Sequence, residues 1–310
     1  MSYWDRLGRV WRAFAGQWKR AKPGAEAPKR RTLGVALGGG FARGLAHIGV
    51  LKVLEEEGIA VDLIAGTSVG SIIGAAYCSG MNAAELAEVA GHLKFKDFAR
   101  WTISRYGLFN NDRMDGLLGR MLRCQTFEEM KIPLGVAATN FISGEAMIFC
   151  SGLVAPAVRA SCAYPGMFLP VKIGEEYFVD GMLGHEVPTT PLREMGAECV
   201  VGVFLDSHTM RMSGPRHMFD IIGQCFSIAQ RRMSVHWRKD TDLLVEPVVD
   251  GFAYDCFDRL PELVASGEAA MRAALPELRR LMGLDGSRAP AAAKASAAPG
   301  VAEASTVHPS

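Results

Sequence analysis

A chain of 310 residues, 49% hydrophobic and 22% charged, has room for one large domain or two small ones and the composition of a globular protein with a substantial core. No run of about 18 uncharged apolar residues occurs, so no segment reads as transmembrane. The seven dispersed cysteines contain no C-x-x-C pair, and read as reduced thiols of a cytosolic protein rather than a disulfide framework. The net charge of +1 hides an asymmetry: residues 1–31 hold nine Lys/Arg against Asp5 and Glu26, a net +7, which leaves −6 on residues 32–310.

The chain opens with a basic arm, 1–31, that has no continuous apolar stretch of the secretory kind. Trp4, Leu7, Trp11, Phe14 and Trp18 recur at spacings of three and four, one stripe of a helix, with Arg6, Arg9, Arg12, Lys19 and Arg20 beside it. Tryptophan and arginine on an amphipathic helix suit the headgroup zone of an anionic membrane. The same stripe also suits docking on the domain's own surface or on a second copy. "AKPGAEAPKRR" closes the arm as a Pro/Gly/basic linker.

From residue 32 the pattern changes. "TLGVAL" (32–37) reads as a strand and "GGGFARG" (38–44) as a loop. "LAHIGVLKVLEEEG" (45–58) reads as a helix with Leu45, Ile48, Leu51 and Leu54 on one face and Gly58 as its cap. "IAVDLIA" (59–65) is a second strand and "SVGSIIGAAYCSG" (68–80) a helix of small residues ending at Gly80. A strand, helix and strand in that order make a parallel pair with the helix on one face. Further strands are expected at 132–141, 146–150, 176–180, 198–205 and 241–247, so residues 32–284 read as one three-layer α/β domain. The remainder, 285–310, has nine Ala, three Pro and no aromatic, Leu or Ile, and reads as a disordered tail.

Gly66-Thr67-Ser68-Val69-Gly70 is G-x-S-x-G between a strand and a helix, the context of a nucleophile elbow. Such a turn lifts the Ser68 hydroxyl out at the carboxyl edge of the sheet, and the helix N-terminus behind it favours developing negative charge. A plain Gly/Ser turn is the competing reading. A serine nucleophile needs an oxyanion hole and a base. "GGGFARG" ends at the same sheet edge, and its consecutive glycines let backbone N–H groups converge on an anion. It lacks both the dinucleotide spacing and the Gly-Lys-Ser/Thr of a phosphate loop. None of the seven histidines (47, 92, 185, 208, 217, 236 and 308) has a setting that marks a base. Asp180, closing the apolar run of "YFVDGML" (177–183), is the other candidate.

Together these residues resemble the patatin-like phospholipase family, and closely its bacterial members. "GVALGGGFARGLAHIGVLKVLEEEGI" (34–59) is similar to its glycine-rich block, "IAGTSVGSIIGAAYCSG" (64–80) to its elbow and "ASCAYPGMFLPVKIGEEYFVDGML" (160–183) to the block that ends in its catalytic aspartate. The weaker "LLVEPVVDGFAYDCFDRLPELVASGEAA" (243–270) is similar to its C-terminal strand and helix. The resemblance spans roughly 32–284. It implies a three-layer fold with a mainly parallel sheet, helices on both faces, and a Ser–Asp dyad that needs no histidine, metal or cofactor. Ser68 is then the nucleophile and Asp180 the general base, with N–H groups around Gly39, Gly40 and Phe41 as the oxyanion hole. Arg43 would hold the loop or attract a phosphate headgroup. Phe41 stands where many members have a third glycine, Met182 where a small residue is commoner, and "GHEVP" (184–188) where the family is Asn-rich.

The implied function is hydrolysis of fatty-acyl esters of phospholipids or lysophospholipids, by a cytoplasmic protein peripheral on the inner face of the membrane. Residues 92–114, mixing Phe, Trp and Tyr with basic residues, read either as a mobile gate over an acyl pocket or as a partly buried helix and loop. Two other functions stay open. One is an esterase with a Ser-His-Asp triad using His208, His217 or His236. The other is a membrane-docked regulatory or adaptor protein with little turnover. Nucleic acid is not an expected partner, because the basic residues occupy a short arm and no nucleic-acid motif is present.

Overall fold

The computed structural model describes residues 30–104, 106–206, 214, 218–253 and 255–284. The arm residues Trp4, Leu7, Trp11, Phe14 and Trp18, the 285–310 tail, His208 and His217 lie outside the described residues.

Strand β1 (Leu33–Leu37) runs through the glycine loop and a 3-10 turn, Phe41–Leu45, into helix α1 (Ala46–Glu56). Strand β2 (Leu63–Thr67) passes through Ser68 into α2 (Val69–Ser79). Gly58 and Gly80 follow these helices with φ of 64° and 116°, the left-handed conformation that ends a helix. β2 begins at 63 rather than 59. Asp62 is occupied with the start of β1, accepting from the Leu33 N–H at 2.8 Å and from Arg30. Next come α3 (Ala83–Ala90), α4 (Phe95–Phe98), a separate antiparallel hairpin of β3 (Arg100–Ser104) and β4 (Gly107–Asn110), and α5 (Arg113–Met121). β5 (Leu134–Asn140), β6 (Ala146–Phe149), α6 (Val154–Ser161), β7 (Val171–Ile173) and β8 (Glu176–Asp180) follow. The rest are α7 (Thr189–Glu194), β9 (Cys199–Val203), α8 (Met218–Lys239), β10 (Leu243–Val245) and α9 (Leu260–Met282).

The main sheet has the order β10-β9-β1-β2-β5-β8-β7, with β6 also on β5. β10, β9, β1, β2 and β5 are parallel, while β6 and β8 are antiparallel to β5 and β7 to β8. The sheet is therefore mainly parallel with an antiparallel edge, and helices cover both faces. β1 shows why: Leu33, Val35 and Leu37 join a large core with residues of α1, α2 and α9, while Ala36 joins a smaller one with Leu192 of α7 and Trp237 of α8.

The register around β5 positions the site. Ala137 pairs with both Thr67 of β2 and Ile148 of β6, so β2 and β6 lie on opposite edges of β5. Ala138 pairs with both Met147 of β6 and Asp180 of β8, so β8 lies opposite β6 as well. β2 and β8 therefore share one edge, run toward each other, and stop at adjacent positions of β5. The residues at that junction are Ser68 and Asp180.

α1, which carries the glycine loop on its N-terminal side, is clamped to α9 through two glycines. A Cβ on Gly267 would stand 1.9 Å from the Ala46 carbonyl oxygen, and one on Gly49 2.0 Å from that of Val264. Gly267→Ala should therefore cost about 1–3 kcal/mol, read as a lower denaturant midpoint at unchanged slope. Gly116→Ala on α5, where a new Cβ meets nothing within 4 Å, should show no such loss.

Candidate active site

Ser68 has φ 52° and ψ −124°, and with Phe41 (φ 52°) it is one of two non-glycine residues at positive φ among the described residues. A side chain in that region costs on the order of 1–3 kcal/mol, so the surroundings must hold it there. One hold is side-chain to backbone: the Ser68 N–H donates to the Oγ of Ser161, fully buried at the end of α6, at 2.8 Å. Another is the close seating of α2 on β1: a Cβ on Gly70 would stand 2.2 Å from the Leu37 carbonyl oxygen. Ser68 itself is 9% exposed and opens into a pocket.

Asp180 ends β8 and is 1% exposed. Its own N–H donates to the Ala163 carbonyl at 3.0 Å, and its Oδ1 accepts from the Met182 N–H at 2.9 Å. Oδ2 is buried without a hydrogen bond of ordinary length. Burial pushes the carboxyl up to about 7; the Met182 amide and the neighbouring Ser68 hydroxyl pull the other way. A carboxylate with an unsatisfied buried oxygen, beside a serine hydroxyl, has the chemistry of a proton acceptor.

The glycine loop lies against the same site. The Gly38 N–H donates to the Val203 carbonyl at 3.1 Å and the Gly39 N–H to that of Glu186 at 3.3 Å. The Gly40 N–H makes no hydrogen bond within the described residues. Of the three sequence candidates for the oxyanion hole, Gly39 thus has a competing acceptor in place. The Phe41 ring packs edge-on against Tyr164 at 5.2 Å, which helps hold its positive φ. Arg43 is 7% exposed; burial lowers its pKa, and the charges of Asp206 and Asp250 partly offset this. That environment fits loop support better than a headgroup contact. Met182 packs on the loop, its Sδ 2.6 Å from where a Cβ of Gly39 would be.

The roles of four residues here escaped the sequence reading. His47 is fully buried, donates from Nε2 to the Gly38 carbonyl at 2.8 Å, and is pushed by burial down to about 4, so it stays neutral and anchors the loop. Ser161 holds the Ser68 amide. The Cys162 thiol faces the Ser68 and Ser71 hydroxyls, but burial pushes its pKa far up, leaving it a neutral wall. Tyr164 links Phe41 to Asp180: burial, then the Asp180 charge, raise its hydroxyl to about 12. Among the described residues, the other histidines are His185, His92 and His236. Burial also lowers His185 to about 4, and its backbone carbonyl accepts from Thr67 Oγ1 at 2.7 Å. His92 and His236 are exposed.

The pocket beside Ser68 is apolar, walled by Phe41, Ile72, Phe95, Phe98, Phe168 and Phe257 among others. Phe95 and Phe98 come from α4, so the 92–114 segment supplies part of the wall, with Phe98 stacked on Phe257 at 5.3 Å. A slot with this apolar lining suits a hydrocarbon chain.

Residues 35–193 match the model of the patatin-like phospholipase family, and the chain belongs to that family. It is 35% identical over 196 residues to an uncharacterized NTE family protein of Mycobacterium tuberculosis, a match covering 60% of this chain and 32% of that protein. It is 28% identical over 189 residues to the lysophospholipase NTE1 of Kluyveromyces lactis, covering 57% of this chain and 13% of that one. The chain thus spans a minor part of these relatives' length. VipD of Legionella pneumophila, a solved structure, aligns with a TM-score of 0.45 at 14% identity over 81% of this chain and 67% of that one.

Two measurements follow from this geometry. Ser161→Ala leaves the Ser68 N–H without its acceptor, so any ester turnover at Ser68 should fall about tenfold in kcat with KM little changed. For Asp180 the folded pKa lies above the unfolded one. The folded state then holds the extra proton, and stability falls as pH rises from about 4 to about 7. Asp180→Asn removes that loss. It should melt above wild type at pH 8, with the gap closing toward pH 4.

Proposed function

We propose that this member of the patatin-like phospholipase family is a serine acyl hydrolase, of phospholipase A or lysophospholipase type, working through a Ser68–Asp180 dyad. The observation that carries the reading is the junction itself: a serine at strained φ that lines an apolar pocket, beside a buried carboxylate with an unpaired oxygen. In the first half-reaction Asp180 takes the Ser68 proton while Oγ bonds to the acyl carbonyl carbon. The oxyanion is held by the amides of Gly40 and Phe41, with Gly39 joining if it releases Glu186. The C–O bond to the lipid alcohol breaks as that oxygen takes the proton from Asp180. In the second half-reaction Asp180 takes a proton from water, the hydroxyl attacks the acyl-enzyme, and the Ser68–acyl bond breaks as Oγ recovers the proton.

Phospholipids and lysophospholipids are the proposed substrates, because the pocket fits an acyl chain and the relative from Kluyveromyces lactis is named a lysophospholipase. Among the described residues no helix is long and apolar enough to cross a membrane. The protein would reach its substrate as a peripheral protein on the cytoplasmic face, with the 1–31 arm and its Trp4, Leu7, Trp11, Phe14 and Trp18 stripe on anionic lipid. The positive φ of Phe41 favours one second reading, a membrane-docked regulatory or adaptor protein with little turnover.

Fluorophosphonate labelling separates the two. Wild type should label, and Ser68→Ala and Asp180→Asn should not. The labelling rate should climb about tenfold per pH unit below 7 and level off above it, as Asp180 loses its proton. Folded wild type that resists the probe, with and without anionic vesicles, would leave the adaptor reading standing.

A further inference from the structure

The 92–114 segment does more than wall the pocket. Helix α4 has two faces. Phe95 and Phe98, three residues apart, point into the apolar pocket beside Ser68. Lys96 and Asp97 line a second, polar hollow, completed by Arg113 and Arg120 of α5. Its one carboxylate is already engaged, with Asp97 Oδ2 accepting from the Lys94 N–H at 2.9 Å. Lys96 and Arg120 have no ion-pair partner among the described residues, and Arg113 donates to the Lys96 carbonyl at 3.1 Å.

Directly after α4 the β3–β4 hairpin carries two large aromatic side chains outward: Trp101 is 72% exposed and Tyr106 63%. The Trp101 ring leans on Phe109 at 4.4 Å, and β4 is tied to the pocket wall through the Leu169 N–H, which donates to the Phe109 carbonyl at 3.0 Å. Residues 94–120 hold six Lys/Arg against three Asp, in a body that is net negative over 32–310. Exposed Trp and Tyr beside unpaired cations, on an otherwise acidic surface, have the make-up of a bilayer-interface contact.

We propose that the β3–β4 hairpin and the Lys96–Arg113–Arg120 hollow together form a docking surface for an anionic phospholipid bilayer. Trp101 and Tyr106 sit at headgroup depth and the hollow takes a lipid phosphate. α4 is then the partition between the membrane side and the acyl pocket. The proposal rests on the lipid-hydrolase reading above and adds a bilayer contact on the domain body, separate from the N-terminal arm.

The test uses the full chain as Ser68→Ala, so that binding is read without turnover. Hydrogen exchange is followed with phosphatidylcholine vesicles, with and without phosphatidylglycerol. Slowed exchange in 94–113 is expected with the anionic vesicles alone. In the same background Trp101→Ala/Tyr106→Ala and Lys96→Glu/Arg120→Glu should each weaken vesicle partitioning about tenfold. Unchanged melting curves would show that these variants fold. Protection confined to the arm, equal partitioning of the variants, or no vesicle binding would each overturn the docking surface. Fluorophosphonate labelling reads the hydrolase assignment independently of all three.

Discussion

The arrangement that everything else serves is the meeting of β2 and β8 along one edge of β5. Parallel pairing places Thr67 beside Ala137, antiparallel pairing places Asp180 beside Ala138, and β6 fills the opposite edge. Neither short strand can extend without colliding with the other. The chain must leave the sheet at both ends, through Ser68 on one side and Gly181 on the other. Two residues 112 positions apart are thereby fixed as neighbours by backbone pairing alone, before any side chain interacts. The Thr139 hydroxyl reinforces the joint, donating to the Asp180 carbonyl at 3.0 Å.

A junction this tight leaves strain, and the anchors found around it are of one kind. Ser161 Oγ receives the Ser68 amide, His47 Nε2 donates to the Gly38 carbonyl, and Tyr164 backs the Phe41 ring. Ser161 and His47 are fully buried and Tyr164 half-buried, and two of the segments they steady include the positive-φ residues Ser68 and Phe41. His47 does so as a neutral imidazole, because burial holds its pKa near 4 and the Gly38 carbonyl needs a donor. His47 is thus committed to structure.

Much of this was legible in the sequence because it depends on local pattern. The strand–loop–helix order, the glycines flanking Ser68, and the apolar run closed by Asp180-Gly181 are each readable within about ten residues, on the period-two and helical patterns that fix elements. The resemblance to one family joined them into a site. What stayed hidden depends on distance. The Ser68–Ser161 hydrogen bond joins positions 93 apart and leaves no periodic trace. His47 sits in a helix among apolar neighbours, where its ring could have been packing alone. The β3–β4 hairpin was missed because its alternation is broken by a register shift between Trp101 and Ser104 and diluted by basic residues. The start of β2 was placed four residues early because Ile59 and Val61 are buried like strand residues, although Asp62 is spent on β1.

In the proposed dyad, the setting of Asp180 would let a carboxylate do work that a histidine does elsewhere. An aspartate at its ordinary pKa near 4 is a weak base toward a serine hydroxyl, and simple burial would leave it protonated and idle. At about 7 it is ionised in a large fraction of molecules near neutral pH, yet far more basic than an exposed carboxylate. Two opposing influences set that point. Desolvation raises the pKa, and the Met182 amide on Oδ1 and then the Ser68 hydroxyl restrain the rise. Leaving Oδ2 unpaired keeps one oxygen for the proton, where a second backbone donor would have lowered the basicity again. The cost is a buried acceptor oxygen without a backbone partner, which the proposed proton transfer would give a reason to retain.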